Sequence, residues 1–243
     1  MELEIGPEAD RTANRIVATL PPESRQALLK RSDRVRLRVR DVLHTAGGKI
    51  ADVYFIERGM VLHARPLRDA RAIAVATVGS EGLSPLLAGF SQDDAILESI
   101  VEIEGSALRM NRDALRRCVA KYPPIAFALR RYTAAALSEI AQTAACNALH
   151  TVERRCCRWL LTAHDRSDGS FPMTHESLAA SLGVRRATVS TVAGGLQAAR
   201  LIRYAHGKVT VVDRQGLERS SCECYRTVRS DFERAFAAMA MGA

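Results

Sequence analysis

The chain has 243 residues, 47% hydrophobic and 26% charged, which allows two small cores and is too apolar for a disordered protein. Net charge is +8; residues 151–243 hold 14 basic against 9 acidic side chains, +5, and residues 1–150 hold the remaining +3. That bias agrees with a phosphate-bearing partner without requiring one. No apolar run is long enough to span a bilayer, and the opening MELEIGPEAD is acidic without an apolar core, unlike a secretory signal. The expectation is a cytoplasmic protein with no membrane partner.

In chain order, residues 11–32 read as helix interrupted by Pro21-Pro22. Arg34 to Arg40 alternates basic and apolar residues, the period of a strand with one face in water. Short β-prone runs follow at Val42–His44, Val53–Ile56, Met60–Ala64, Ala72–Val78 and Ala95–Ile103, separated by glycines. This pattern predicts an antiparallel sandwich or barrel. Asn111 to Val119 reads as a helix.

Pro123-Pro124 suit the first turn of a long helix reaching His150. Ile125, Leu129, Tyr132, Ala136, Ile140 and Ala144 recur at about 3.5 residues, and alanine richness would let two copies approach. These six are the expected dimerisation residues. A further helix spans His150 to Asp165, with Trp159 as a core residue, and Ser167 to Ser170 reads as a polar turn.

The most informative stretch is Met173 to Tyr204. Thr174 is an N-cap type, and Leu178, Ala179 and Leu182 share one helical face. Gly183 supplies a left-handed stop, and Val184, Val189 and Val192 give a second helix its apolar side. A small residue at the crossing, a turn glycine and a buried β-branched residue are what a helix-turn-helix needs. Arg185 and Arg186 open the second helix, where base edges and phosphates would be met. Leu201 to Tyr204, the turn His206-Gly207 and Lys208 to Val212 then read as a hairpin wing. The expected DNA-binding residues are Arg185, Arg186, Thr188, Ser190, Thr191, Thr174 and Lys208. Gly216 to Met239 reads as one last helix.

Six cysteines, at 118, 146, 156, 157, 222 and 224, all lie beyond residue 100. If Cys222 and Cys224 are helical they point about 200° apart and cannot share a metal. The expectation is therefore reduced structural thiols, no metal site and no cofactor. With no nucleophile–base pair or phosphate-binding glycine loop, no catalytic residue is expected.

With AQTAACNALHTVERRCCRWLL, MTHESLAASLGVRRATVS and the glycine-punctuated β-region in view, the chain resembles the Crp/Fnr superfamily of bacterial transcription regulators over nearly its whole length. The resemblance implies an α+β protein with a cyclic-nucleotide-binding-like β-roll at residues 1–121. A dimerisation helix at 122–150 and a winged helix-turn-helix at 151–243 complete it. It also implies a homodimer reading an inverted-repeat operator in double-stranded DNA, in contact with RNA polymerase. The family's base-reading glutamate and arginine are replaced by Ala187 and Thr191, which cannot make those contacts. Arg200 stands where the family usually has glycine.

Gly79 to Pro85 occupies the family's phosphate-binding region, yet no basic residue follows Arg71 until Arg109. A cyclic nucleotide would lack its cation there, so an unknown small-molecule effector is expected instead. The family's N-terminal iron–sulfur cysteines are absent, and His44 and His63, which gas-sensing relatives would suggest as haem ligands, read as strand residues. The alternative function is a ligand- or redox-sensing module whose helix-turn-helix serves protein contacts.

Overall fold

The computed structural model describes residues 12–67, 72–86, 88 and 93–241. It is an α+β protein, as expected. Helix α1 (Arg15–Ala18) and helix α2 (Pro22–Leu29) are separate, because Pro21 is extended and ends the first while Pro22 starts the second. The Asn14 side chain caps α1 and donates to the carbonyls of Ile56 and Gly82 at 2.8 and 2.7 Å, pinning this end to the sheet.

Six strands form the first sheet: β1 (Ser32–Leu37), β2 (Val42–His44), β3 (Asp52–Pro66), β4 (Ala72–Val78), β5 (Leu83–Ser84) and β6 (Glu98–Asn111). The order is β1-β6-β3-β4, with β2 paired to β6 and β5 to β3, all antiparallel. The runs at 53–56 and 60–64 prove to be one strand, bulged between Ile56 and Val61 where glycine and arginine interrupt the alternation. Helix α3 (Arg112–Lys121) is capped by Asn111.

Helix α4 (Pro123–Leu149) lies against the sheet and against the last helix, α9 (Cys224–Met241). This corrects the expected dimer stripe. Ile125, Leu129, Tyr132 and Ala136 are 1–3% exposed and belong to the chain's own core, with Phe232 and Phe236 of α9. Ile140 is half-buried and Ala144 is exposed. The periodicity was real, but the sheet and α9 cover that face within one chain.

Helix α5 (Val152–His164) leads to strand β7 (Ser170–Pro172), which starts at the last residue of the expected polar turn and has no counterpart in the sequence reading. Helices α6 (His175–Leu182) and α7 (Arg186–Ala198) follow, then β8 (Ile202–Ala205) and β9 (Lys208–Val211) in the sheet order β7-β9-β8. The single helix expected over 216–239 is two, α8 (Arg214–Ser220) and α9, broken at Ser221–Glu223. No described helix is long and apolar enough to cross a membrane.

The second module is docked on the first. Met60, Leu62, Ala74 and Ile103 of the large sheet share a hydrophobic cluster with Trp159, Leu160, Leu178 and Leu182. Beside it, Arg166 inserts its guanidinium between Thr77 and Glu81, donating to both. Glu81 also accepts from the Gly79 amide at 2.9 Å. A side chain at Gly79 would collide with Arg166, its Cβ falling 2.7 Å from that chain's Cδ. The expected lack of a cation near Gly79–Pro85 is thus corrected: the cation arrives from beyond α5. Glu139 of α4 is buried alongside and accepts from the Thr77 amide and hydroxyl at 3.1 and 3.0 Å.

His63 is fully buried in β3, its Nδ1 3.2 Å from Ser99 Oγ. Burial, with smaller contributions from His44 and Arg166, pushes its pKa down to about 3. The unfolded ring titrates near 6.5, so the unfolded chain takes up the proton first. Its contribution is complete above pH 6.5 and declines toward pH 3, by at most about 1.4 kcal/mol per pH unit. Urea titrations should therefore show stability falling below pH 6.5, with a shallower slope in His63→Gln. An unchanged slope in the variant would contradict this.

Candidate nucleic-acid interface

The two helices at 175–198 are set by local chemistry. Thr174 and Ser177 form a reciprocal capping box, with Ser177 N 3.0 Å from Thr174 Oγ1 and Thr174 N 3.1 Å from Ser177 Oγ. Gly183 ends α6 at φ +65°, and its amide and that of Val184 return to the carbonyls of Ala180 and Ala179 at 3.1 and 3.0 Å. Val189 is wholly buried on the inner side of α7, with Ala193 and Leu196 one and two turns on. Burying that stripe forces the opposite side outward.

Arg185, Arg186, Ala187, Thr188, Ser190, Thr191 and Gly194 are all exposed on or before α7. Arg185 is the N-cap residue and Arg186 the first helical residue, so both guanidinium groups stand at the positive end of the helix dipole. Arg186 Nε lies 3.9 Å from Glu176 at 70% exposure, a weak surface contact that leaves it free to exchange partners. Ser190 Oγ donates to the Arg186 carbonyl at 3.1 Å and Thr191 Oγ1 to that of Ala187 at 3.2 Å. The Thr174 hydroxyl is spent on its cap. Lys208 is exposed at the start of β9, beside the turn His206-Gly207.

Thus α7 brings Arg185, Arg186, Thr188, Ser190 and Thr191 onto one helix, while Thr174 sits at the start of α6 and Lys208 on the wing. The structure adds residues that spacing did not single out. His175 stacks on Tyr204 with ring centroids 4.4 Å apart, and its Nδ1 is 2.9 Å from Ser190 Oγ, so α6, α7 and β8 are tied together at the exposed face. Arg203 is exposed on β8, and Arg200 takes φ +58° at the turn into the wing. That conformation explains why glycine suits this position; an L-residue there costs roughly 1–2 kcal/mol. Strand alternation after Leu201 was the signal that could have marked Arg203.

Two further features lie elsewhere in the molecule. A cavity of about 640 Å³ lies between the large sheet and α4, lined mainly by apolar side chains including Ile50, Val75, Leu86, Leu97 and Ile140. Its polar lining includes buried His63 and Arg65, which donates to the Ile96 carbonyl at 2.7 Å. At the C-terminal end of α4, Cys146, His150, Cys222 and Cys224 converge. Ser221–Glu223 is not helical, so the expectation that Cys222 and Cys224 must diverge is corrected. The Cys146 thiol is lowered, chiefly by the hydrogen bond it shares with Cys222. Cys156 and Cys157 are by contrast inert core thiols, both raised by burial to about 12.

Comparison with known proteins fits this geometry. Residues 154–220 match the family model described as a Crp-like helix-turn-helix domain. FixK2 from Bradyrhizobium japonicum is similar in structure, with TM-score 0.67 and 19% identity over 79% of this chain and 98% of that one. The Xanthomonas campestris regulator CLP, described as c-di-GMP responsive, gives TM-score 0.62 and 18% identity over 79% of this chain and 99% of its own. A Thermus thermophilus regulator of the CRP family gives TM-score 0.62 and 19% identity over 77% and 96%. None of the curated proteins matches the sequence. The chain therefore has the fold of the Crp/Fnr transcription regulators. Within it, residues 154–220 are similar to the Crp-like helix-turn-helix domain.

Glycine at two positions of this module has opposite consequences. Gly183→Ala should destabilise by about 1 kcal/mol or more, because φ is positive and the new Cβ would lie 2.9 Å from Ile73 Cδ1. Gly194→Ala meets nothing within 4 Å on a helical backbone and should stabilise by about 0.5–1 kcal/mol. Thermal unfolding of the two variants checks both signs.

Proposed function

We propose that the protein is a sequence-specific transcription regulator that binds double-stranded DNA as a homodimer on an inverted-repeat operator. The observation carrying this reading is the solvent-facing α7, opened by Arg185 and Arg186, within a Crp-like helix-turn-helix domain. In this reading α7 enters the major groove. Arg185 and Arg186 contact guanine edges or phosphates, Thr188, Ser190 and Thr191 line the groove, and Lys208 and Arg203 reach flanking phosphates. The Thr174 end of α6 presents backbone amides to the phosphate chain. RNA polymerase contact is the remaining part of the proposal and rests on likeness of fold.

A single helix-turn-helix covers few base pairs, and two half-sites about 34 Å apart are the usual remedy. The face of α4 left uncovered supports a second copy. Ala134, Leu137, Ala141, Ala144 and Ala148 repeat at three and four residues and are all exposed, Leu137 to 64%. That is a narrow seam of the coiled-coil kind, with alanines permitting close approach. Of the six residues first expected there, Ala144 lies on this seam.

The effector is proposed to occupy the cavity between sheet and α4. Its mostly apolar lining and the engagement of Arg166 with Glu81 favour an uncharged, largely apolar small molecule over a cyclic nucleotide. Any such ligand acts only as far as it binds two arrangements of the modules with different affinity.

Arg186→Ala should weaken binding on all sequences and reduce the salt dependence of affinity by about one phosphate contact. Fluorescence anisotropy across a salt series checks this; unchanged affinity and slope would remove Arg186 from the interface. Leu137→Glu should shift the protein toward monomer in sedimentation equilibrium with its fold intact. A dimer of unchanged strength would place the interface elsewhere.

A further inference from the structure

We propose that Cys146, His150, Cys222 and Cys224 form a structural zinc site that clamps the junction between the long helix and the DNA-binding module. The four ligand atoms all lie within 4.8 Å of one another, and the three cysteines make a small buried cluster of their own.

The geometry suits one tetrahedral ion. Zinc–sulfur bonds of about 2.3 Å and zinc–nitrogen bonds of about 2.0–2.1 Å give tetrahedron edges of roughly 3.8 Å between sulfurs and roughly 3.6 Å between sulfur and nitrogen. The observed Cys146 Sγ···Cys222 Sγ distance is 3.6 Å and Cys224 Sγ···His150 Nδ1 is 3.4 Å. Three thiolates and an imidazole are a donor set that selects zinc among common divalent ions. A multi-iron cluster would need its ligands spread around several metal centres, whereas these converge on one point.

The surroundings are those of a metal site. His150 offers Nδ1 to the centre while its Nε2 lies 3.2 Å from Glu223 Oε1, and a carboxylate there fixes the ring's tautomer and orientation. Glu223 stands between the two C-terminal ligands, so the Cys-Glu-Cys segment supplies two thiols and the histidine's orienter. Gln142 Nε2 donates to Cys224 Sγ at 3.0 Å. With all three cysteines bound as thiolates, the centre carries a net charge of −1. Arg155 and Arg158 stand close enough to Cys146 to offset it.

Placement gives the site its consequence. Cys146 and His150 are four residues apart, at the last turn and C-cap of α4. His150 is extended, at φ −102° and ψ 147°, and is where the chain leaves α4 for α5. Cys222 lies in the break between α8 and α9, after the wing, and Cys224 opens α9. An ion held by all four fixes the angle at which the DNA-binding module leaves α4.

The test is metal analysis of the full-length protein prepared under reducing conditions with zinc present, together with cobalt replacement. About one zinc ion per chain is expected, and cobalt should give the ligand-field and thiolate charge-transfer bands of a tetrahedral site. Cys222→Ser combined with Cys224→Ser should abolish both, and Cys118→Ser should change neither. Should the double variant fail to fold, Glu223→Gln serves, because Glu223 is largely exposed and is not itself a ligand. It should weaken zinc affinity about 10–100-fold in chelator competition. Zinc well below one per chain with six titratable thiols would overturn the proposal, as would a Cys146–Cys222 disulfide under these conditions. Unchanged zinc affinity in Glu223→Gln would remove the His150–Glu223 pair from the site. Metal content is read without DNA, so its failure leaves the DNA-binding proposal untouched.

Discussion

The structure depends on one desolvated cation. Arg166 is largely buried between the modules and engages Glu81 and Thr77, with Glu139 close by. A charge taken out of water must be paired and hydrogen-bonded, and removing one partner of such a pair costs about 3–5 kcal/mol. Burial alone would disfavour the charged form, yet the nearby Glu81 and Glu139 carboxylates outweigh it and raise the guanidinium's pKa. Because the pair cannot persist half-made, the docked arrangement is closer to a discrete state than to a loose contact.

That contact links parts far apart in the chain. The Gly79–Glu81 turn follows β4, whose Val75 lines the apolar cavity, and α4 closes the cavity's other side. Glu139 of α4 bonds to Thr77 of β4, so the long helix, the sheet and the DNA-binding module meet around two neighbouring residues. A molecule entering the cavity would press on the strand and helix that hold Arg166. At the far end of α4, the cysteine–histidine cluster meets the same module from its C-terminal side. The module is thus held at two points, one ionic and one thiol-based, with α7 turned to solvent.

Much of this was legible in the sequence where the signal is local. Gly183, Thr174 and Val189 each have a single structural job set by backbone conformation, capping or burial, and each does it as spacing predicts. The strand character of Arg34–Leu37 likewise follows from period-two alternation alone. What was not legible depends on meetings across long separations. The period of Ile125, Leu129, Tyr132 and Ala136 specifies a buried face but not what buries it, and α9, about a hundred residues on, takes the place given to a second copy. Arg166 gave no sign of reaching Thr77, 89 residues earlier.

The cysteines show the same limit in sharper form. Cys222 and Cys224 appear incompatible as co-ligands only while the segment is taken as helical. The break at Ser221–Glu223 follows no proline or glycine and is a tertiary effect: it lets both thiols turn toward the end of α4. His150 was read as a helix boundary, which it is, and its imidazole faces Cys224 because of that boundary. The exposed residues of α7 were readable as a set because a buried inner stripe dictates the outer one. His175 and Tyr204 were not, since their stacking depends on how the wing folds back.

The central claim is that α7 reads DNA sequence as one half of a symmetric pair. The most direct measurement is selection of bound duplexes from a random DNA pool, followed by a salt titration on the selected sequence. The account predicts enrichment of an inverted repeat whose half-site centres lie about one helical turn apart, with affinity falling steeply as salt rises. Absence of any enriched sequence, with binding that ignores salt, would contradict it.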